Sequence, residues 1–181
     1  MKTYFSACIM ILTIGFSIGS YAQNFSGLDK SPCDIAYYRT DRKAPPVAKV
    51  IYGRPLKKDR PVFGNLVPYD KVWRTGANEA TEITFFKDVT FGDQDVAAGT
   101  YTLFSIPGQQ EWTIILNSDT DVWGAFDYKQ DKDVARVTVP ASKDKKSLEA
   151  FSITFEPGDD ESADMYLGWD TTRVKVPVRA R

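Results

Sequence analysis

Strict alternation of apolar and polar residues is the feature that most constrains the fold of this chain. Three short runs show it, at residues 135–139, 151–155 and 174–178. A period of two places successive side chains on opposite faces of a strand, so each run predicts a half-buried β-strand. No window holds a sustained helical period, and at most a short turn of helix is expected from Leu66 to Lys71. The sequence therefore predicts an all-β chain.

Turn residues separate the predicted strands. Gly, Pro and Asp cluster at residues 92–95, 107–110 and 157–160, each a hairpin turn by composition. Asp34 to Arg39 and Val47 to Tyr52 are predicted to open the fold as an antiparallel pair. Strands about 8 to 12 residues apart are typical of a sandwich or barrel-like architecture. We predict a single domain over residues 32–181, an antiparallel β-sandwich of jelly-roll-like type with little helix.

The first residues read as an export leader. Lys2 precedes an apolar stretch from Tyr4 to Ile18, and small residues at Ser20 and Ala22 fit a signal-peptidase site. The stretch is shorter than a membrane span of about 20 residues. We predict a signal peptide over 1–22, a flexible mature start over 23–31, and a periplasmic or secreted protein that is not inserted in a membrane after cleavage.

The composition excludes several chemistries. The chain has no histidine, so it cannot build a Ser-His-Asp triad, a Cys-His pair or a typical catalytic zinc site. Its net charge of −1 does not indicate a basic surface that would bind nucleic acid or anionic lipid. Cys33 is the only cysteine left once Cys8 is removed with the leader, so no internal disulfide can form. We expect Cys33 to be buried as a small apolar residue, and we expect no cofactor and no catalytic residue.

A calcium loop is the first site to weigh. Residues 117–121 place oxygen ligands at alternate positions, as an EF-hand loop begins. Val122 then stands where that loop needs glycine, and Tyr128 where it needs a bidentate glutamate. Asp119, Asp121 and Asp127 are therefore interpreted as parts of a polar hairpin, and no metal site is predicted.

The segment Phe63 to Thr81 concentrates aromatic, glycine, proline and hydrogen-bonding residues. In this segment, Arg74 can form a bidentate pair with a carboxylate or phosphate. Asn78 offers a hydrogen-bond donor and an acceptor, and Trp73 offers a flat ring face for stacking. Arg54, between Gly53 and Pro55, is a second arginine on a constrained loop. The predicted ligand-binding residues are Arg54, Trp73, Arg74, Asn78 and Glu79. They favour a non-catalytic module that binds a polar, anionic or sugar-like small molecule.

Other interpretations of the same residues stay open. Arg74 and Glu79 can instead bridge a tight turn while the tryptophans fill the core, which is the usual place of aromatics in a sandwich. An envelope interaction or structural domain would need an exposed apolar patch or sheet edge. A histidine-free hydrolase would need Glu79 and a second carboxylate about 5 to 9 Å apart. Protein partners are not specified by any of these patterns.

Several motifs follow one another in an order that is specific to a known family. They are Ser31-Pro32, YGRP at 52–55, FGNLVPY at 63–69, VWRTGANEAT at 72–81, AGTYTLFSIPG at 98–108, EWT at 111–113 and WGA at 123–125. With them the chain resembles a family of exported bacterial proteins catalogued as domain of unknown function 2911. The resemblance implies a secreted or periplasmic all-β domain, and it brings no catalytic residue, substrate or cofactor.

Overall fold

The computed structural model describes residues 23–159 and 161–181, so the predicted signal peptide lies outside the described residues. In the described part the chain forms nine β-strands and one short 3₁₀ helix, Gln130–Lys132. The strands are β1 (Cys33–Tyr38), β2 (Ala48–Gly53), β3 (Glu82–Phe85), β4 (Val89–Phe91), β5 (Gln94–Val96), β6 (Gly99–Pro107), β7 (Glu111–Asn117), β8 (Asp133–Pro157) and β9 (Ser162–Ala180). The prediction of an all-β domain with little helix is confirmed. The turn of helix expected from Leu66 to Lys71 does not form; short bridges and turns take its place.

All nine strands belong to one antiparallel sheet, in the order β1-β2-β3-β6-β7-β8-β9-β4-β5. The predicted opening pair is confirmed, because β1 pairs with β2 in a register that places Ile35 opposite Ile51. The predicted hairpin turns are found between β4 and β5, between β6 and β7, and between β8 and β9. Only the β4–β5 hairpin leaves the sequential order, since it pairs with β9 at the far end of the sheet.

The two longest strands let the sheet fold over itself. β8 pairs with β7 through its first part and with β9 through its second part. The second part lies against β2: the Tyr52 hydroxyl donates to the carbonyl of Ile153 at 3.2 Å and accepts from the Ile153 amide at 3.0 Å. Through β8 and β9, all nine strands are thus joined into one continuous sheet.

The sequence pattern divided β8 into two strands because its centre lacks alternation. Residues 142–147 are all exposed, and they include Lys143, Asp144, Lys145 and Lys146. The pairing with β9 shifts register between Lys143 and Leu148, so this part of the ladder is irregular. A strand segment with both faces in water needs no apolar face, which is why the sequence gives no sign of it.

An aromatic cluster lies in the core of the domain. It consists of Phe63, Trp73, Trp112, Phe151 and Trp169, with ring centroids 4.8 to 6.3 Å apart and mostly edge-to-face contacts. Such contacts add about 0.5–1.5 kcal/mol per pair to the burial of the rings. Because Phe63 and Trp73 both come from the segment Phe63 to Thr81, the cluster fixes that segment onto the sheet.

Within residues 23–159 and 161–181, no helix has the length and apolar character required to cross a bilayer.

Candidate ligand-binding site

The Trp73 segment is fixed to the sheet by backbone and side-chain bonds. The Trp73 amide donates to the Ser105 carbonyl on β6 at 2.7 Å, and the Ser105 amide donates to the Trp73 carbonyl at 2.9 Å. The indole nitrogen of Trp73 donates to the carbonyl of Gly76 at 3.2 Å, and its side chain is only 9% exposed. Trp73 therefore lies in the aromatic core and holds the following turn by its edge.

The turn from Thr75 to Asn78 has an unusual backbone. Thr75 has a φ of 53° and Asn78 a φ of 63°, in the left-handed region. Asparagine tolerates that region, but a β-branched threonine is an outlier there, at a cost of order 1–3 kcal/mol. The Thr75 hydroxyl donates to Ser105 Oγ at 2.9 Å, and the Thr81 hydroxyl donates to the Thr75 carbonyl at 2.7 Å. The surrounding bonds thus hold a strained turn in one conformation, as binding sites often require.

A close backbone contact sets the position of this turn against β2. A Cβ atom on Gly53 would lie 2.3 Å from the carbonyl oxygen of Ala77. Only glycine allows the backbones to approach so closely, which gives a physical reason for glycine in the YGRP motif. The turn consequently separates two grooves, and Ser31, Ala77 and Asn78 line both of them.

The first groove, here called the basic groove, encloses about 400 Å³. Arg60, Lys71 and Arg74 line it, together with Leu66 and Pro68 and the edges of the aromatic core. None of its lining residues in the described part of the chain is acidic. Three cations with no lining carboxylate give this groove a positive potential.

Arg74 is the unusual member of the basic groove. Its Nε is buried and has no hydrogen-bond partner among the described residues, although the side chain as a whole is half-buried. Burial lowers the pKa of the Arg74 guanidinium from its usual value, because the charged form loses hydration. No ion pair among residues 23–159 and 161–181 involves Arg74, so the Arg74–Glu79 bridge weighed from the sequence does not form.

The second groove, here called the acidic groove, lies on the other side of the turn and encloses about 490 Å³. Asp29, Glu79 and Trp123 line it, and its lining residues in the described part include no lysine or arginine. The Asn78 side chain donates to Asp29 Oδ1 at 3.1 Å. Bonds from the Ser31 amide and from Asn78 lower the pKa of the Asp29 carboxyl, so it is ionised at neutral pH.

Cys33 lies in the acidic groove and is exposed, which corrects the expectation that it is buried. It is the first residue of β1, the edge strand of the sheet, and its side chain is on the outer face. Asn78 and Glu79, both predicted from the sequence, also lie here, and Glu79 is exposed. The structure therefore divides the predicted site between the two grooves.

Arg54 has a different environment. Its Nε donates to the carbonyl of Phe151 at 3.1 Å, Nη1 to Asp34 Oδ2 at 2.8 Å and Nη2 to Ser152 Oγ at 2.8 Å. These bonds connect β1 and the end of β2 to β8. Arg54 lines neither groove, so the geometry gives it a structural role.

The predicted binding residues did not include Arg60, Lys71, Asp29 or Trp123. Arg60 stands just before the segment Phe63 to Thr81, Lys71 lies inside it, and Asp29 lies far upstream; charged surface residues carry no local pattern. Among the described residues, no group of three or more His, Cys, Asp or Glu side chains is arranged to hold a metal ion. For the hydrolase hypothesis, the lowered pKa of Asp29 is opposite to what a general acid beside Glu79 would need.

Comparison with known proteins adds a family and no function. No curated protein matches the chain, and no solved structure matches it. One family model, described as a protein of unknown function (DUF2911), matches residues 37–178, which include both predicted motifs around Arg54 and Arg74. The match spans most of the chain, and this protein therefore belongs to the DUF2911 family of proteins of unknown function.

Proposed function

We propose that this protein binds a small anionic molecule in the basic groove, with Arg74 as the principal contact. The observation that carries the proposal is the half-buried Arg74 guanidinium, whose buried Nε has no partner among the described residues. Leaving a buried donor unsatisfied costs about 1–3 kcal/mol, and more for a charged group. A carboxylate or phosphate in the groove would compensate the half-buried charge of Arg74 and would accept the two parallel bonds that a guanidinium makes best.

The neighbouring cations support the same ligand class. Arg60 is held in place by its own bonds, from Nε to the carbonyl of Lys57 and from Nη2 to the carbonyl of Leu56, both at 2.8 Å. Lys71 is exposed at the border of the groove and is free to adjust its position. Together with Arg74, the fixed Arg60 and the adaptable Lys71 would increase the rate at which an anion reaches the groove. They would then stabilise the bound anion.

The groove also has an apolar part. Leu66 is 37% exposed and lies with Pro68 and Val67 along the wall. Small-molecule sites combine apolar surface with a few fixed polar groups, and this groove contains both. We therefore favour an organic anion with some apolar body over an inorganic ion.

Ligand-induced thermal stabilisation would test the proposal. The purified protein is heated with a series of organic carboxylates, organic phosphates, inorganic phosphate and sulfate. A ligand at about 100 times its Kd should raise the melting temperature by roughly 5–10 °C. Arg74→Met should abolish the shift, and Arg74→Lys should retain only part of it, because an ammonium lacks the planar fork.

The matched control is Arg42→Met. Arg42 is exposed in the loop between β1 and β2 and lines neither groove, so its removal lowers the net charge equally without touching the site. The proposal fails if no anion stabilises the wild-type protein, or if Arg42→Met reduces the shift as much as Arg74→Met.

The proposed place of action is outside the cytoplasm, either in the periplasm or in the medium. This rests on the leader sequence alone, which precedes the described residues. Expression with the leader, followed by mass measurement of the exported protein, should find Gln23 as the first residue. Recovery of the uncleaved chain from the cytoplasm would contradict it.

A further inference from the structure

We infer that the acidic groove is a second binding site, for a small organic cation such as a primary or quaternary ammonium group. The inference concerns a different groove from the anion site, and it does not depend on that site. Three features carry it: an exposed tryptophan held in a fixed position, two carboxyl side chains beside it, and the absence of a lining lysine or arginine in the described part of the chain.

Trp123 is exposed to 62%, although the other three tryptophans of the chain are buried. Its backbone is held in place by an antiparallel bridge between Glu79 and Trp123. On either side of the bridge, the Ala80 amide donates to the Val122 carbonyl at 2.9 Å, and the Gly124 amide donates to the Asn78 carbonyl at 3.2 Å. Its ring stacks on Phe126, with centroids 5.7 Å apart and planes 14° apart. An exposed indole held in this way is a prepared contact surface, because its burial would cost little further entropy.

The bridge also decides which side chains meet. Directly opposed residues of an antiparallel pair project to the same side, with Cβ atoms about 4.5–5.5 Å apart. The Glu79 carboxylate therefore lies beside the Trp123 indole, on the side of the groove. Asp29 lines the same groove and is oriented by the bonds from Asn78 and from the Ser31 amide.

This combination selects a cation. The face of an indole attracts positive charge through its quadrupole, and tryptophan does so better than the other aromatic residues. Two carboxylates in a groove with no lining cation add a negative potential. Ile51 and Ala80 supply apolar surface for the alkyl groups that an organic ammonium carries. A neutral saccharide could also stack on Trp123, but it would gain nothing from the charge of Glu79 and Asp29.

Titration calorimetry with tetramethylammonium and with butylammonium would test the inference, with a neutral methyl glycoside as the comparison ligand. Binding of the cations should weaken about tenfold in Trp123→Ala, as expected from the loss of a cation–π contact. It should weaken about fivefold in Glu79→Gln, which keeps the shape of the side chain and removes its charge. Glu111→Gln is the matched control, because Glu111 is exposed and lies outside the groove.

The outcomes separate clearly. Cation binding that is lost in Trp123→Ala and Glu79→Gln and kept in Glu111→Gln supports the inference. The absence of cation binding, equal binding of the glycoside, or equal losses in Glu79→Gln and Glu111→Gln would overturn it. Arg74→Met, tested in parallel, should abolish anion binding without weakening cation binding, so failure of one site is distinguishable from failure of the other.

Discussion

The basic and acidic grooves are similar in size and share the Thr75–Asn78 turn as a wall, yet they carry opposite charge. The basic groove adjoins buried tryptophans, of which Trp73 is 9% exposed, whereas the acidic groove presents Trp123 at 62%. The difference shows that one turn can border two surfaces of opposite charge. The segments on either side, rather than the turn, supply the charged residues of each surface.

A second contrast lies between the two arginines predicted to bind a ligand. Arg54 makes three hydrogen bonds that tie β1 and β2 to β8, while Arg74 has a buried nitrogen without a partner. Each guanidinium nitrogen of Arg54 therefore already has a protein partner. The buried Nε of Arg74 has none among the described residues.

The largest expected effect is a difference in the free energy of unfolding between variants of Trp73 and of Trp123. Trp73→Ala should lower the free energy of unfolding by about 3–5 kcal/mol, because it opens a cavity in the aromatic core. Trp123→Ala should lower it by less than about 1 kcal/mol, since only the contact with Phe126 is lost. Equilibrium urea denaturation measures both. Similar losses in the two variants would mean that Trp123 is part of the core and not a groove surface.

The next largest effect is a difference in the free energy of unfolding between variants of Arg54 and of Arg74. Arg54→Ala should lower the free energy of unfolding by about 1–3 kcal/mol, because it leaves the Phe151 carbonyl and Asp34 without their donor. Arg74→Met should leave stability unchanged or raise it slightly, since it removes a half-buried cation that has no partner. Denaturation of both variants with the same protocol gives the comparison. A large loss in Arg74→Met would make Arg74 a scaffold residue.

Asn78 lines both grooves, but its side-chain hydrogen bond to Asp29 belongs to the acidic groove, so its replacement offers a smaller and more selective effect. Asn78→Gly keeps a residue that tolerates a φ of 63°, so the turn and the anion site should be retained. It removes the bond to Asp29, so ammonium binding should weaken about threefold as that carboxylate loses its orientation. Calorimetry with both ligand classes tests this. An equal loss for both classes would show that the two grooves behave as one site.

The last effect appears only at alkaline pH and concerns the hydrogen bonds of Tyr128, in the same segment as Trp123. The Tyr128 hydroxyl donates to Asp133 Oδ2 at 2.6 Å and accepts from Arg136, and burial followed by the bond to Asp133 raises the pKa of Tyr128 to about 12. The folded protein then holds this proton more tightly than the unfolded chain. Its contribution to stability should be complete below about pH 10 and be lost as the pH rises toward 12.

An ultraviolet difference titration, compared with that of Tyr128→Phe, would measure this pKa. The variant should lack the highest-pH tyrosine transition. It should also lose the part of the alkaline destabilisation that comes from Tyr128. A pKa of Tyr128 near 10 would show that its hydrogen bonds with Asp133 and Arg136 do not persist.

The sequence by itself determined the strand content, the opening antiparallel pair and the hairpin turns. These features depend on neighbours in the chain, since alternation sets the two faces of a strand and glycine, proline and aspartate set the turns. It also located the segment Phe63 to Thr81, where Trp73, Arg74 and the turn are found. The centre of β8 escaped prediction because a segment that is solvated on both faces has no pattern.

Only the tertiary structure decided which polar residues have partners. Arg54 reaches Phe151, which is 97 residues away, whereas Arg74, which the sequence predicted for the same role, reaches no carboxylate in the described part of the chain. Likewise, the bridge from Glu79 to Trp123 holds one tryptophan on the surface, while Trp112 and Trp169 are buried. Hydrogen bonding and burial are set by residues that are distant in sequence, so composition and spacing cannot specify them.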